Sequence, residues 1–121
     1  MKHGKKGRKL KRERNQRRAL LKTMLGSLIM REKITTTQAK AKELKRLIDP
    51  LINRAKKAKN EKEKPNTMRE LRIKLPLMAV RKITGNFINR FDSRNSGYTR
   101  LIRLAPRKSD AAEIAVIEFV N

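Results

Sequence analysis

The stretch that decides the fold is ELKRLIDPLINRA, residues 43–55. Its apolar residues recur three and four positions apart, which is typical of one face of an α-helix. Pro50 lies inside this stripe, yet the pattern continues in phase beyond it, so we expect one kinked helix and not two separate helices. The stripe consists of Leu44, Leu47, Ile48, Leu51, Ile52 and Ala55.

A second helical pattern precedes this one. Paired apolar residues between positions 20 and 29 predict a helix from about Asn15 to Arg31. Gly26 inside it either weakens the helix or marks a close packing contact. Between the two helices, residues 33–36 are prone to form a β-strand, and Thr37 is a candidate N-cap for the helix that follows.

The middle of the chain predicts shorter helices after a charged linker at 59–65. Thr67 and Glu70 have the spacing of a capping box, which marks the start of a helix. Pro76 ends that helix and suits the first position of the next one. Residues 87–91 suggest one more short turn of helix.

The end of the chain predicts a β-hairpin. Residues 98–105 and 114–120 are rich in β-forming residues, and a turn-rich segment joins them. The order of elements predicts an α+β fold, in which helices pack on a small sheet with a C-terminal β-hairpin and a basic N-terminal arm. We expect residues 1–14 to be a flexible arm and 15–121 a single domain. The expected common core contains Leu28, Leu47, Ile48, Leu51 and Ile117.

The charge of the chain points to a polyanionic partner. Lys and Arg number 34 against 11 Asp and Glu, a formal net charge of +23. A net charge of roughly 2–8 is enough to keep a small domain soluble, and nucleic acid is the commonest polyanion that would compensate such an excess. The excess is greatest in residues 1–18, which have too few apolar side chains to fold alone.

Enzyme chemistry finds no support in the sequence. Cys is absent and His3 is the only histidine, so neither a zinc site nor a histidine base with an orienting partner is expected. A nucleophile elbow and a phosphate-binding loop are also missing. We therefore expect no enzyme, cofactor, metal or small-molecule substrate. We expect no membrane association either, because no apolar run approaches the roughly 20 residues of a membrane span.

The predicted RNA-binding residues are basic, apart from His3 and Tyr98. The three Phe residues are expected in the core, whereas Tyr98 fits two interpretations equally, stacking on a base or packing at the start of a strand. The predicted set is Lys2, His3, Lys5, Lys6, Arg8, Lys9, Lys11, Arg12, Arg14, Arg17, Arg18, Lys40, Lys42, Lys45, Arg46, Arg94, Tyr98 and Arg100.

Several strings occur together in the order of one known family. They are Met1-Lys2-His3, Gly7-Arg8-Lys9-Leu10-Lys11-Arg12, Ile34-Thr35-Thr36-Thr37, Lys40-Ala41-Lys42-Glu43-Leu44, Pro50-Leu51-Ile52 and Gly97-Tyr98-Thr99-Arg100. With this length and charge, the sequence resembles the bacterial large-subunit ribosomal protein family L-seventeen. Two positions depart from the family pattern: Ser96 stands where Gly is common, and Gln16 stands where His is common.

The resemblance implies a structural protein of the cytoplasmic ribosome. It implies binding to large-subunit ribosomal RNA near the polypeptide exit side, beside neighbouring ribosomal proteins. Three other functions are alternatives to the ribosomal one for a chain of this charge: a nucleoid DNA-compacting protein, a membrane-active cationic peptide and a nuclease. Against the first, the tip of the expected hairpin carries Asp110 and Glu113, whereas DNA-wrapping arms carry apolar wedges there.

Overall fold

The computed structural model describes residues 13–120, and these form an α+β arrangement of helices around a small sheet, as the sequence predicts. The helices are α1 (Arg14–Arg31), α2 (Gln38–Lys56), α3 (Lys64–Lys74) and α4 (Leu77–Ile83), and the strands are β1 (Lys33–Thr37), β2 (Thr99–Arg103) and β3 (Ile114–Phe119). Two short 3₁₀ helices lie at Lys57–Lys59 and Asn86–Phe91. The predicted division of the chain into an arm and one domain stays a prediction.

The sheet joins an early strand of the chain to two strands near its end. Its order is β1-β3-β2, and both pairings are antiparallel. The predicted C-terminal hairpin is confirmed by the β2–β3 pairing, in which Leu101 lies opposite Ile117. On the other side of β3, Ile34 lies opposite the same Ile117. The central strand β3 therefore pairs with β1 on one side and with β2 on the other, and Ile117 lies between Ile34 and Leu101.

The register decides which apolar residues of β2 are buried. Leu101 packs against the core, whereas Ile102 and Leu104 remain 43% and 46% exposed. Successive side chains of a strand point to opposite faces of the sheet, so only one of two adjacent apolar residues can point inward. Apolar residues at 101, 102 and 104 leave both choices open in the sequence, and the pairing with Ile117 settles it.

Helix α2 provides the centre of the core. It runs through Pro50 as one helix, as predicted, and Leu44, Ile48 and Ile52 have no exposed surface. Four of the five predicted core residues are buried, but the prediction is wrong for Leu47, which is only partly buried. Leu47 lies at the edge of the helical stripe.

Ile48 and Leu47 offer a direct test of this arrangement. Ile48→Ala should lower the free energy of unfolding by about 2–5 kcal/mol, because it leaves a cavity in a closed core. Leu47→Ala should cost clearly less, because the neighbourhood of Leu47 is already open to solvent. Urea unfolding of both variants measures the two losses. Equal losses would contradict the assignment of Leu47 to the edge of the core.

Helix α3 begins earlier than the capping box predicts. Its first residue is Lys64, and Pro65 lies in its first turn. Thr67 is buried inside the helix, and its backbone N–H donates to the carbonyl of Glu63 (2.9 Å), so it does not cap the helix. Proline favours the first turn of a helix and fixes φ there, which explains why Pro65 outweighs the Thr67–Glu70 spacing.

The end of α1 is fixed by Glu32. This residue adopts a left-handed conformation (φ 66°), and its backbone N–H donates to the carbonyl of Leu28 (2.7 Å). Its carboxylate accepts a hydrogen bond from Lys82 (2.9 Å) and pairs with Arg90. These two hydrogen bonds lower the pKa of Glu32. One acidic side chain therefore ties the end of α1 to α4 and to the 3₁₀ helix that follows it.

Gly26 marks a close approach between α1 and the start of α4. A Cβ atom at this position would lie 2.7 Å from Cγ and 2.9 Å from Cδ of Pro76. Real Cβ atoms do not come so close. Pro76 is the N-cap of α4, one position before the first helical position that the sequence predicts for it. Of the two interpretations of Gly26, the structure therefore supports the packing contact.

Gly26→Ala should lower the free energy of unfolding, because the overpacking cost of about 1–3 kcal/mol outweighs the gain in helix propensity. The loss should shrink in a Pro76→Ala background, where Cγ and Cδ are absent. A double-mutant cycle by urea unfolding should give a coupling free energy of about 0.5–3 kcal/mol. A coupling near zero would show that the two residues do not limit each other.

Candidate nucleic-acid interface

Helices α1, α2 and α3 border a groove with a volume of about 710 Å³. Its apolar lining comes from all three helices, and so does its charged lining. The apolar residues are Leu21, Leu25, Leu47, Pro50, Leu51 and Ile73, and the charged residues are Arg17, Arg18, Lys22, Glu43, Arg46, Arg54, Glu70 and Lys74.

Both acidic residues of this groove are engaged by arginines. Glu43 is 1% exposed and pairs with Arg46 one helical turn away. Glu70 on α3 pairs with Arg54 on α2. A buried carboxylate is costly unless it is paired, so Glu43 fixes the position of the Arg46 guanidinium. The other four basic residues of the groove add to its positive potential.

The groove brings together part of the predicted RNA-binding set. Arg17, Arg18 and Arg46 line it, although they lie on two different helices. Arg14 is exposed at the start of α1. Sequence reasoning did not select Lys22, Arg54 or Lys74 for this set. The helical spacing of Arg18 and Lys22 could have indicated the first of these, but nothing local indicates that α3 contributes Lys74.

The predicted RNA-binding residues of α2 point in different directions. Whereas Arg46 points to the groove, Lys45 points to the sheet, where its ammonium group donates to the carbonyl of Thr99 (3.0 Å). Lys42 Nζ lies 3.2 Å from the side-chain amide of Gln38 at the start of the same helix. Lys40 is partly buried.

Tyr98 is not placed to stack on a base. The residue is 0% exposed, and its ring meets the ring of Phe91 edge to face, with centroids 5.3 Å apart. Its hydroxyl accepts a hydrogen bond from Lys56 (2.8 Å) and contacts Asn53. The structure therefore corrects the inclusion of Tyr98 in the RNA-binding set and supports local packing.

A carboxylate on α2 holds the turn that precedes β2. The side chain of Asp49 accepts hydrogen bonds from the backbone N–H groups of Gly97 (3.1 Å) and Tyr98 (3.4 Å). Gly97 has φ +65°, a conformation that suits glycine. In the same turn, Arg94 donates to the carbonyl of Gly97 (3.4 Å).

Two further arginines, one on β2 and one in the loop between β2 and β3, are paired with acidic residues. On β2, Arg100 is exposed and donates to Glu118 of β3 (3.3 Å). In the loop, Arg107 donates two hydrogen bonds to Asp110, which lowers the pKa of that carboxyl group and raises the pKa of Arg107.

The remaining predicted site residues lie outside the described residues. They are Lys2, His3, Lys5, Lys6, Arg8, Lys9, Lys11 and Arg12. Within residues 13–120, no helix is long and apolar enough to cross a membrane. In the same range, no group of three or more His, Cys, Asp or Glu side chains could hold a metal ion.

Basic side chains from three helices that gather along one groove are typical of nucleic-acid-binding proteins. Comparison with known proteins gives the particular family. Residues 20–120 match the model of the family described as Ribosomal protein L17.

Relatives named "Large ribosomal subunit protein bL17" match over most or all of the chain. The protein of Chloroherpeton thalassium is 42% identical over 100% of this chain and 69% of its own length. The protein of Rubrobacter xylanophilus is 40% identical over 100% of this chain and 97% of its own length. The protein of Staphylococcus carnosus is 38% identical over 93% of this chain and 98% of its own length.

The chain belongs to the ribosomal protein L17 family. It is therefore a structural ribosomal protein and not an enzyme, and it serves translation in the cytoplasm as part of the ribosome. The resemblance seen in the sequence is confirmed. Family membership also favours the ribosomal interpretation over the nucleoid alternative and decides against a nuclease.

Asp49→Ala should loosen the turn before β2, because it removes the acceptor of two backbone hydrogen bonds. Hydrogen exchange at the amides of Gly97 and Tyr98 should report a local loss of about 1–3 kcal/mol. Asp49→Asn is the matched control, because it keeps one acceptor oxygen and should retain part of the protection. Unchanged protection in Asp49→Ala would show that the turn is stable without the hydrogen bonds to Asp49.

Proposed function

We propose that this chain binds large-subunit ribosomal RNA through its basic N-terminal residues and the basic groups of α1 and α2. The observation that carries the proposal is the groove, where six Lys or Arg side chains from three helices surround two acidic residues that are already paired with arginines. Such a surface attracts a polyanion, and the relatives are named as proteins of the large ribosomal subunit.

The distribution of acidic residues supports this proposal. Six of the 11 acidic residues of the chain take part in ion pairs within residues 13–120, so they cannot neutralise further basic groups without breaking a contact. These residues are Glu32, Glu43, Glu70, Asp92, Asp110 and Glu118. The large remaining positive charge is best compensated from outside, and RNA phosphates supply that compensation.

The arm and the groove would contribute in different ways. The arm supplies phosphate contacts and therefore affinity, whereas the groups on α1 and α2 have fixed positions and can recognise the shape of a folded RNA. Neighbouring ribosomal proteins are the second class of partner that this proposal includes.

Deleting residues 2–12 should weaken binding to large-subunit ribosomal RNA and leave the site of binding unchanged. Seven basic residues are lost, and each lost phosphate contact should reduce the slope of log affinity against log salt by roughly 0.7–0.9. Filter binding at several salt concentrations measures the slope, and chemical footprinting maps the site. A displaced footprint would mean that the arm selects the site.

Replacing the basic residues on the α1 side of the groove should change the site of binding more than the overall affinity for RNA. The triple replacement of Arg17, Arg18 and Lys22 by Gln should blur the footprint while nonspecific binding persists. The control replaces Lys57, Lys62 and Lys64, which are exposed and do not line the groove. It removes the same charge, and its footprint should stay sharp. If both variants behave alike, net charge and not the groove determines the site.

A further inference from the structure

The groove has an apolar floor that phosphate binding does not require. Leu21 and Leu47 are partly buried in it, and Ile73 is 73% exposed, the largest exposure among the large apolar side chains of residues 13–120. Leu21 and Leu47 also pack against the core, whereas Ile73 is left largely in water between basic groups, where it stabilises neither the core nor a phosphate contact. This combination points to a ligand that carries both an apolar surface and negative charge.

A regular RNA duplex does not present such a ligand. Its bases are stacked inside the helix, and its outer surface consists of phosphates, riboses and the edges of bases. A convex duplex can rest on the basic rim of the groove, but it cannot bring an apolar surface to the floor. An unpaired nucleotide can, because its base projects from the backbone and the neighbouring phosphates stay near the rim.

We propose that the groove between α1, α2 and α3 receives one unpaired nucleotide of the RNA, with its base on the apolar floor and its flanking phosphates at the basic rim. The proposal rests on the proposed function, since it specifies which element of the RNA this surface takes. The groove volume of about 710 Å³ falls within the range of roughly 300–1,000 Å³ typical of ligand pockets.

The arginines of the groove suit a base as well as a phosphate. A guanidinium group is planar, and unstacked bases pack on such planes in protein–RNA complexes. Arg46 and Arg54 are each held by an ion pair, so their orientation is set before a ligand arrives.

Charge complementarity selects RNA over a protein segment as the occupant. Six basic residues line the groove against two paired acidic ones, so a protein segment would have to be acidic and apolar together. An RNA chain provides a negative charge at every nucleotide and an apolar base face at the same spacing.

The first experiment uses the full chain and two RNA hairpins, one fully paired and one with a single-nucleotide bulge. Fluorescence polarisation at matched salt measures both affinities. We expect the bulged hairpin to bind about tenfold tighter, and we expect Ile73→Ser to remove most of this difference, so that the two hairpins bind almost alike. The control is Ile102→Ser, which changes an exposed isoleucine outside the groove and should keep the preference.

The second experiment identifies the occupant in assembled large subunits. A photo-crosslinking amino acid is placed at position 73, with position 102 as control. Crosslinks from position 73 to an unpaired nucleotide would support the proposal, whereas crosslinks to paired nucleotides or to another protein would overturn it.

The outcomes separate this inference from the function on which it rests. Equal affinity for both hairpins, or a preference that survives Ile73→Ser, overturns the inference. If the unaltered protein still protects a defined site on ribosomal RNA, the proposed function stands in either case. Failure to protect any site would instead overturn the proposed function itself.

Discussion

The packing of α2 in the core is the interaction on which the rest of the structure depends. Leu44, Ile48 and Ile52 leave no apolar surface of their own in water, and the core that they join includes Ile117 of the central strand. Because these three side chains must all face the core, the rotation of α2 about its axis is fixed. Once that rotation is fixed, Arg46 must face the groove and Lys45 must face the sheet. The distribution of charge on the surface is therefore a consequence of packing in the interior.

Acidic residues have an unusual task in a chain with so many basic ones. They are too few to neutralise the surface, and several of them instead fix particular positions. Glu43 holds Arg46, Glu32 connects α1 to α4 through Lys82, and Asp49 holds the turn before β2. In each contact, one carboxylate fixes the position of a basic group or of the backbone. The net positive charge remains large, but part of it has a defined orientation.

The sequence predicts those features that depend on neighbours in the chain. The helical stripe of α1 predicts its bounds to within one residue, and the stripe of α2 falls wholly within that helix, because burial of one face produces a local spacing. The same local reasoning is wrong at Thr67 and leaves the environments of Ile102 and Tyr98 undecided. Their environments depend on Pro65, on the register with β3 and on the packing of Phe91, and only the first of these is near in sequence.

The candidate site illustrates the same limit on a larger scale. Leu21, Leu47 and Ile73 belong to three helices, and nothing in the local pattern of any one of them indicates that they share a groove. Their spacing depends on how α1 lies against the α3–α4 corner, and the contact of Gly26 with Pro76 limits that approach. A residue without a side chain, outside the groove, thus helps to set the position of one of its walls. Sequence can identify the basic residues of such a protein, but the surface they form follows from how closely its helices can pack.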